Sequence, residues 1–128
     1  MPNTLIPQKA RQRSSLILAP CTTFLGGQWS PAYAATKHGI AGLAKAMCDE
    51  LAQFNIQVNT IAPGYFATKL TEKTRSDAKR NAEILAHIPA NRWGDLYDLM
   101  GACVFLCSGA SDYVNGHVLT VDGGFLMR

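Results

Sequence analysis

A tyrosine and a lysine, Tyr33 and Lys37, stand four residues apart in an alanine-rich stretch. On an α-helix this spacing brings two side chains to one face. An isolated tyrosine keeps its proton up to about pH 10, but an ammonium group nearby favours the phenolate. Such a pair could donate a proton to a carbonyl group or accept one from an alcohol.

The spacing alone is a weak signal, because Tyr65 and Lys69 repeat it. The second pair follows a Pro-Gly dipeptide, which is typical of a turn, and a four-residue separation in a loop does not ensure a common face. The first pair follows a Ser-Pro dipeptide, which commonly opens a helix. Local context therefore favours Tyr33 and Lys37 as the candidate acid–base pair.

The elements that position this pair alternate between strand and helix. Apolar runs predict strands at 15–19, 56–62 and 117–121. A helix from 31 to about 54 lies between the first two strands, and helices at 77–86 and 95–107 lie between the last two. This order predicts an α/β fold with a parallel sheet covered by helices. In such sheets ligands bind beyond the carboxyl ends of the strands.

Apolar stripes at helical spacing are expected to face the core. The stripe of the first helix comprises Ile40, Leu43, Met47, Leu51 and Phe54, and small residues such as Ala41 and Ala44 keep that helix slim. The last helix begins with Asp95 as its cap and carries Leu96, Leu99, Met100, Cys103, Leu106 and Cys107. Residues 69–76 are expected to form a polar segment outside the helices.

Length and composition exclude several classes of protein. A chain of 128 residues is one domain or part of one, and 48% hydrophobic residues can supply its core. The net charge of +3 favours no nucleic-acid partner, because the basic residues at 9, 11 and 13 lack interleaved aromatics. We interpret residues 1–14 as a solvated lead-in. No run approaches the roughly 20 apolar residues of a membrane span, so a soluble cytoplasmic protein without a membrane partner is expected.

The cysteines and histidines give no metal site. Cys21, Cys48, Cys103 and Cys107 are expected to be reduced thiols, and the last two are expected to pack as small core residues. The three histidines are scattered, and none stands at ligand spacing from a cysteine. We therefore expect no bound metal.

Several motifs together resemble the C-terminal half of the short-chain dehydrogenase/reductase family. Besides Tyr33 and Lys37, they are Val-Asn-Thr-Ile-Ala-Pro-Gly at 58–64, Thr68, and Val-Asp-Gly-Gly at 121–124. They follow the order and spacing of the family across residues 15–128. The stretches 88–94 and 111–116 look more narrowly like the members that act on sugar acids related to deoxygluconate.

The resemblance implies a Rossmann-like doubly wound parallel sheet, present here as its C-terminal half of three strands with covering helices. It also implies hydride transfer between NAD or NADP and a carbonyl or secondary alcohol. Tyr33 would be the general acid–base, and Lys37 would assist it while binding the nicotinamide ribose. The cofactor would also contact the turn at Pro63 and Gly64, the backbone of Phe66 and the hydroxyl of Thr68. Two alternatives remain, a helix cap for Thr68 and simple turn geometry for Gly64.

The substrate side is less complete. Thr22, Gln28, Tyr65 and Arg92 are candidate substrate contacts, and Arg92 could bind a carboxylate or form a structural ion pair. Pro20 stands where the family has a serine that binds the substrate oxygen, and proline offers neither a hydroxyl nor an N–H. Thr22 is our hypothesis for its replacement.

In the family, a glycine-rich turn and an acidic residue bind the adenosine half of the cofactor. No segment of these 128 residues matches either feature. Strand 15–19 would lose its neighbour and become an exposed sheet edge. Two interpretations stay open. The chain is a truncated and impaired oxidoreductase, or it is a non-catalytic remnant that forms a homo-oligomer or associates with a longer homologue.

Overall fold

The computed structural model describes the backbone of residues 13–18 and, with their side chains, residues 24–26 and 30–127. The helices and strands are, in chain order, β1 (Arg13–Leu18), α1 (Pro31–Leu51), β2 (Ile56–Pro63), α2 (Glu72–Ser76), α3 (Ala78–His87), α4 (Met100–Leu106) and β3 (Val118–Val121). Short 3-10 turns precede α2 and α4 and follow α1 and α4. Within the described residues, no helix is both long and apolar enough to cross a membrane.

The three strands form one parallel sheet in the order β1-β2-β3. β1 pairs with β2 from Arg13 opposite Ile56, and β3 joins the other side of β2 from Val118 opposite Thr60. Parallel neighbours require crossover connections, which α1 supplies between β1 and β2, and α2 to α4 supply between β2 and β3. The predicted α/β fold with a parallel sheet is confirmed, and each strand lies within two residues of its predicted bounds.

Strand β2 is the centre of the core. Its residues 57–62 are all buried, and Val58, Ile61 and Ala62 have 0% exposed surface. Successive side chains of a strand point to opposite faces, so both faces of β2 are covered, as parallel sheets require. Helices α1 and α4 both pack against this strand.

Helix α1 contacts the core through its small side chains. Ala41 and Ala44 are 8% and 2% exposed, whereas Leu43 and Phe54 are 56% and 65% exposed. The prediction that Leu43 and Phe54 belong to a buried stripe is therefore wrong. Alanine favours the helix and lets its backbone approach β2 closely, which turns these larger residues outward.

The ends of α1 follow the predicted signals. Pro31 is the first helical residue, where its missing N–H removes no hydrogen bond. Ser30 precedes it but makes no side-chain capping hydrogen bond. The 3-10 turn Ala52–Phe54 extends the helix, and Asn55 ends it in the left-handed conformation with φ of 59°.

Residues 69–76, predicted to lie outside the helices, are in fact helical. A 3-10 turn from Lys69 to Thr71 leads into α2, and Asp77 then caps α3 by accepting a hydrogen bond from the N–H of Arg80 at 3.0 Å. The prediction failed because local hydrogen bonds, and not apolar periodicity, start this segment.

Helix α4 departs from the predicted stripe. Asp95 caps the segment as predicted, by accepting from the N–H of Tyr97 at 2.9 Å. Leu106 is 1% exposed, but Leu96 and Met100 are 62% and 54% exposed. Cys107 is exposed as well, so its assignment to the core is wrong, while Cys103 is half-buried. The first turn is a 3-10 helix with three residues per turn, which rotates these side chains away from a single face.

The loop 111–117, which we call the strap, lies along β2 before the chain enters β3. Asn59, 1% exposed, donates from Nδ2 to the carbonyl of Val114 at 2.9 Å and accepts at Oδ1 from the N–H of His117 at 3.0 Å. Asn115 Oδ1 accepts from the N–H of Val58 at 2.7 Å. The two asparagines of these sequence motifs therefore join the strap to β2.

Candidate functional site

Tyr33 and Lys37 lie side by side near the start of α1. The ammonium Nζ of Lys37 is 5.3 Å from the centre of the Tyr33 ring, within the range of a cation–π contact. Tyr33 is 49% exposed, and Lys37 is half-buried. The predicted common face is confirmed, and the phenol is open to a ligand.

The turn after β2 begins with Gly64, which is held in close contact with Asp122. A Cβ at Gly64 would lie 2.7 Å from both Cα and Cβ of Asp122, closer than non-bonded carbons pack. The N–H of Gly64 also donates to the carbonyl of Val121 at 3.0 Å. The absence of a side chain is therefore required by the packing between the ends of β2 and β3.

Phe66 is 8% exposed and forms a parallel bridge with Gly94. The N–H of Gly94 donates to the carbonyl of Tyr65, and the N–H of Ala67 donates to the carbonyl of Gly94, both at 2.8 Å. A Cβ at Gly94 would come within 2.8–2.9 Å of the Phe66 ring. In a bridge of this kind the N–H of Phe66 itself points away from Gly94.

Thr68 stands at the start of the 3-10 turn. Its N–H donates to Thr71 Oγ1 at 3.0 Å, and its carbonyl accepts from the N–H of Thr71 and from Arg75 Nη2, both at 3.2 Å. Thr68 therefore occupies the N-cap position, which agrees with the helix-cap alternative for this residue. Thr71 is not among the residues predicted from the sequence, although Thr68 and Thr71 occupy the two positions of a capping box.

The closing Asp-Gly-Gly motif forms a tight turn. Asp122 accepts from the N–H of Gly124 at 2.8 Å and from the N–H of Leu126 at 2.9 Å. Gly123 and Gly124 have φ of 66° and 88°, in the region that favours glycine. A Cβ at Gly124 would also lie 3.0 Å from the Pro89 side chain. These residues thus have a structural role at the edge of the candidate site.

A cavity of about 190 Å³ lies at the carboxyl ends of β2 and β3. Its lining includes Tyr65, Phe66, Arg92, Asp98 and Asp122. The structure therefore brings three of the candidate residues, Tyr65, Phe66 and Arg92, to one cavity. Tyr33 and Lys37 belong to α1, which follows the carboxyl end of the neighbouring strand β1. The Tyr33–Lys37 pair and the cavity therefore lie at the same end of the sheet, where the carboxyl ends of its strands meet.

Arg92 is engaged in an ion pair with Asp98. Its two terminal nitrogens donate to the two carboxylate oxygens at 2.6 and 2.9 Å, a bidentate arrangement, and Nη1 also donates to the carbonyl of Trp93 at 3.2 Å. These hydrogen bonds, together with one from the N–H of Asp95, lower the pKa of Asp98 to about 2. The same contact raises the pKa of Arg92. A substrate carboxylate at Arg92 would have to compete with Asp98.

A second cavity, of about 240 Å³, also borders Tyr65. Its other walls come from Phe125 and from one face of α3 that carries Arg80, Glu83, Ile84 and His87. The Tyr65 ring meets Trp93 and Phe125 edge to face, with centroid distances of 5.6 and 5.1 Å. Tyr65 therefore borders both cavities, and its aromatic packing fixes the orientation of its ring.

The remaining candidates of the substrate side, Thr22 and Gln28, and the serine-position residue Pro20 lie outside the described residues. The chemistry of the described candidates suits a nicotinamide cofactor. Tyr33 and Lys37 present a hydroxyl and an ammonium, which suit ribose hydroxyls, and the N–H of Phe66 suits a carboxamide oxygen. This donor set fits the nicotinamide half of such a cofactor.

Comparison with known families gives a match over nearly the whole chain. The family described as enoyl-(acyl carrier protein) reductase matches residues 3–126. The uncharacterized oxidoreductase YgcW of Escherichia coli (strain K12) is 64% identical over 126 residues, which are 97% of this chain and 47% of that protein. The 2-dehydro-3-deoxy-D-gluconate 5-dehydrogenase of Bacillus subtilis (strain 168) is 55% identical over 111 residues, 87% of this chain and 44% of that protein.

A solved structure from Agrobacterium tumefaciens, provisionally assigned as a 2-deoxy-D-gluconate 3-dehydrogenase and holding bound NADP, is 51% identical to this chain. The superposition has a TM-score of 0.88 and covers 92% of this chain and 48% of the other. The match confirms the fold as part of a Rossmann-type dehydrogenase domain. The chain spans about half the length of the curated relatives it matches.

Proposed function

Because this chain belongs to the short-chain dehydrogenase/reductase family, we propose that it supplies the catalytic part of an NADP- or NAD-dependent oxidoreductase acting on a sugar acid. The observation that carries the proposal is the contact of the exposed Tyr33 with Lys37 at the carboxyl end of the sheet, the end that also holds the 190 Å³ cavity. The similarity to deoxygluconate dehydrogenases supports the substrate class, and the NADP in the Agrobacterium structure supports the cofactor.

In the proposed reaction, a secondary alcohol of the substrate loses a proton and a hydride and becomes a ketone. Tyr33 accepts the hydroxyl proton, and the positive charge of Lys37, whose Nζ lies 5.3 Å from the centre of the Tyr33 ring, assists this transfer. The nicotinamide, when bound, supplies the hydride acceptor for oxidation or the hydride donor for reduction. In the reverse direction Tyr33 returns the proton to the carbonyl oxygen.

Cofactor contacts are proposed for Pro63, Gly64, Phe66 and Thr68, together with Tyr33 and Lys37. The bridge to Gly94 fixes the peptide before Phe66, so that its N–H keeps a constant direction. A rigid donor of this kind loses little entropy when it binds a carboxamide. Tyr65 and Arg92 remain proposed substrate contacts, as do Thr22 and Gln28, with Thr22 in the role of the missing serine.

We further propose that the chain forms a partial domain from β1 onward, and that the adenosine half of the cofactor is held by residues outside this chain. The lead-in predicted at 1–14 ends two residues earlier, because Arg13 and Ser14 pair with β2. The proposed compartment is the cytoplasm, where thiols such as the free Cys48, Cys103 and Cys107 stay reduced.

The second candidate function is that of a non-catalytic assembly partner for a second copy or a longer homologue. Two observations favour it. Pro20 stands at the position where the family carries a serine hydroxyl, and the apolar side chains of Leu43 and Phe54 are 56% and 65% exposed. Large exposed apolar side chains commonly mark surfaces that contact another protein. Sedimentation of this chain with and without its homologue would detect such an assembly.

The experiment that tests the oxidoreductase uses a chimera of this chain with the amino-terminal half of YgcW, its 64% identical relative. We expect the chimera to reduce NADP with D-gluconate or 2-deoxy-D-gluconate, and to be at least about tenfold slower with D-glucose, which lacks the carboxylate. A folded chimera that binds NADP but oxidises neither sugar acid would contradict the proposed activity and favour the assembly partner.

A further inference from the structure

We propose that Thr71 is a positioning residue that fixes the backbone of Phe66–Thr68 for binding the nicotinamide carboxamide. This inference rests on the proposed function, because it assigns a role toward the same cofactor. Thr71 itself contacts neither cofactor nor substrate in this proposal. It acts through the peptide groups of the turn that follows β2.

The hydroxyl of Thr71 joins two successive peptide groups. Oγ1 lies 2.7 Å from the carbonyl oxygen of Phe66, to which it donates, and it accepts from the N–H of Thr68 at 3.0 Å. The carbonyl of Thr68 is a second possible acceptor at 3.1 Å, and the shorter contact favours Phe66. A single hydroxyl thus satisfies a donor and an acceptor of the turn, which an aliphatic side chain cannot do.

The opposite side of the same turn is held by Gly94. Its N–H binds the carbonyl of Tyr65, and its carbonyl binds the N–H of Ala67, both at 2.8 Å. The peptide groups before and after Phe66 are therefore fixed from one side by Gly94, and the peptide after Phe66 is fixed from the other side by Thr71. Between these two anchors, the N–H of Phe66 has little freedom to rotate.

Arg75 strengthens the anchor at Thr71. Its Nη2 donates to the carbonyl of Thr68 at 3.2 Å, on the oxygen that also accepts from the N–H of Thr71. Both residues lie on the helical segment that the sequence pattern failed to predict. The helical conformation of residues 69–76 therefore gives Thr71 and Arg75 the reach to hold the cofactor turn.

The test measures binding of oxidised nicotinamide mononucleotide to the full chain, because this probe carries only the nicotinamide half of the cofactor. Amide chemical shifts of the ¹⁵N-labelled chain are followed during titration. We expect the amide of Phe66 to shift in the wild type, and the affinity of Thr71→Val to fall roughly tenfold, the size of one lost positioning hydrogen bond. Thr71→Ser, which keeps the hydroxyl, is expected to restore affinity to within about twofold.

Thr74→Val is the matched control, because it makes the same substitution in α2 at a residue for which the described part of the chain shows no hydrogen bond to the turn, and its affinity is expected to equal that of the wild type. Wild-type affinity in a folded Thr71→Val chain would overturn the proposal and leave the proposed function intact. A wild-type chain that shows no shift at Phe66 would instead overturn the proposed cofactor site, and this inference with it. If Thr71→Val fails to fold, Thr71→Ala measured against Thr71→Ser makes the same comparison.

Discussion

The exposed face of α1 and the buried strand β2 both carry family motifs, but the motif residues of the two elements differ in their exposure to solvent. Tyr33 on α1 is 49% exposed. Asn59 on β2 is 1% exposed and makes two hydrogen bonds to the strap. At the end of β2, Gly64 lies so close to Asp122 that a Cβ would stand 2.7 Å from that residue.

This difference shows that a residue type can be required for two different reasons, the packing of the fold or the chemistry of the site. On β2 and its turn, Asn59 and Gly64 are required by hydrogen bonding and packing, whatever chemistry the site performs. Tyr33 contributes little to the core because half of its surface is exposed. Substitutions on β2 should therefore lower stability, whereas substitution of Tyr33 should change activity alone.

The largest stability effect is expected at Asn59. Asn59→Ala leaves the carbonyl of Val114 and the N–H of His117 without their side-chain partner. Unsatisfied buried groups of this kind should lower the free energy of unfolding by about 2–4 kcal/mol. Urea unfolding measures the change. Gln53→Ala, which removes an exposed amide from the turn after α1, is the control and should cost less than about 0.5 kcal/mol.

A smaller effect is expected at Gly64. In Gly64→Ala the new methyl group overlaps Asp122, so the ends of β2 and β3 must move apart, at a cost of about 1–3 kcal/mol. Gly42→Ala is the matched control, because nothing lies within 4 Å of its added Cβ on the exposed side of α1. It should be neutral or stabilise the chain by up to about 1 kcal/mol. Equal losses in the two variants would refute the packing argument.

The smallest effect concerns Asp98, whose pKa is lowered from an ordinary 3.8 to about 2 by Arg92. A carboxyl group whose pKa is lowered in the folded state stabilises the fold at pH values above its ordinary pKa. This contribution is lost as the pH falls towards 2. Asp98→Asn should therefore lose less thermal stability than the wild type between pH 4 and 2. Identical pH dependence of the two melting temperatures would show that the ion pair contributes nothing to stability.

Local sequence signals predicted those elements whose cause is local. The helix start at Pro31, its end at Asn55 and the cap at Asp95 are each produced by neighbouring backbone geometry. The parallel sheet followed from the order of apolar runs. The buried face of α1 did not follow from the apolar pattern, because the helix packs closely against β2 through Ala41 and Ala44 and not through its larger side chains.

The site was predictable in part for the same reason. The common face of Tyr33 and Lys37 follows from helical spacing. The pairing of Arg92 with Asp98 and the contacts of Thr71 with Phe66 depend on how a loop folds back, which periodicity does not encode. The close approach of Gly64 to Asp122 joins segments 58 positions apart in the chain, and a single sequence does not reveal it.

The most direct test of the central claim is Tyr33→Phe in the chimera with the amino-terminal half of YgcW. Turnover, NADP affinity and the free energy of unfolding are measured on the same preparation. We predict that turnover falls roughly 100-fold to 10,000-fold, while NADP affinity falls by no more than about tenfold, the size of one lost hydrogen bond, and stability changes by less than about 0.5 kcal/mol. A variant that keeps wild-type turnover, or one that loses stability together with activity, would contradict a purely chemical role for Tyr33.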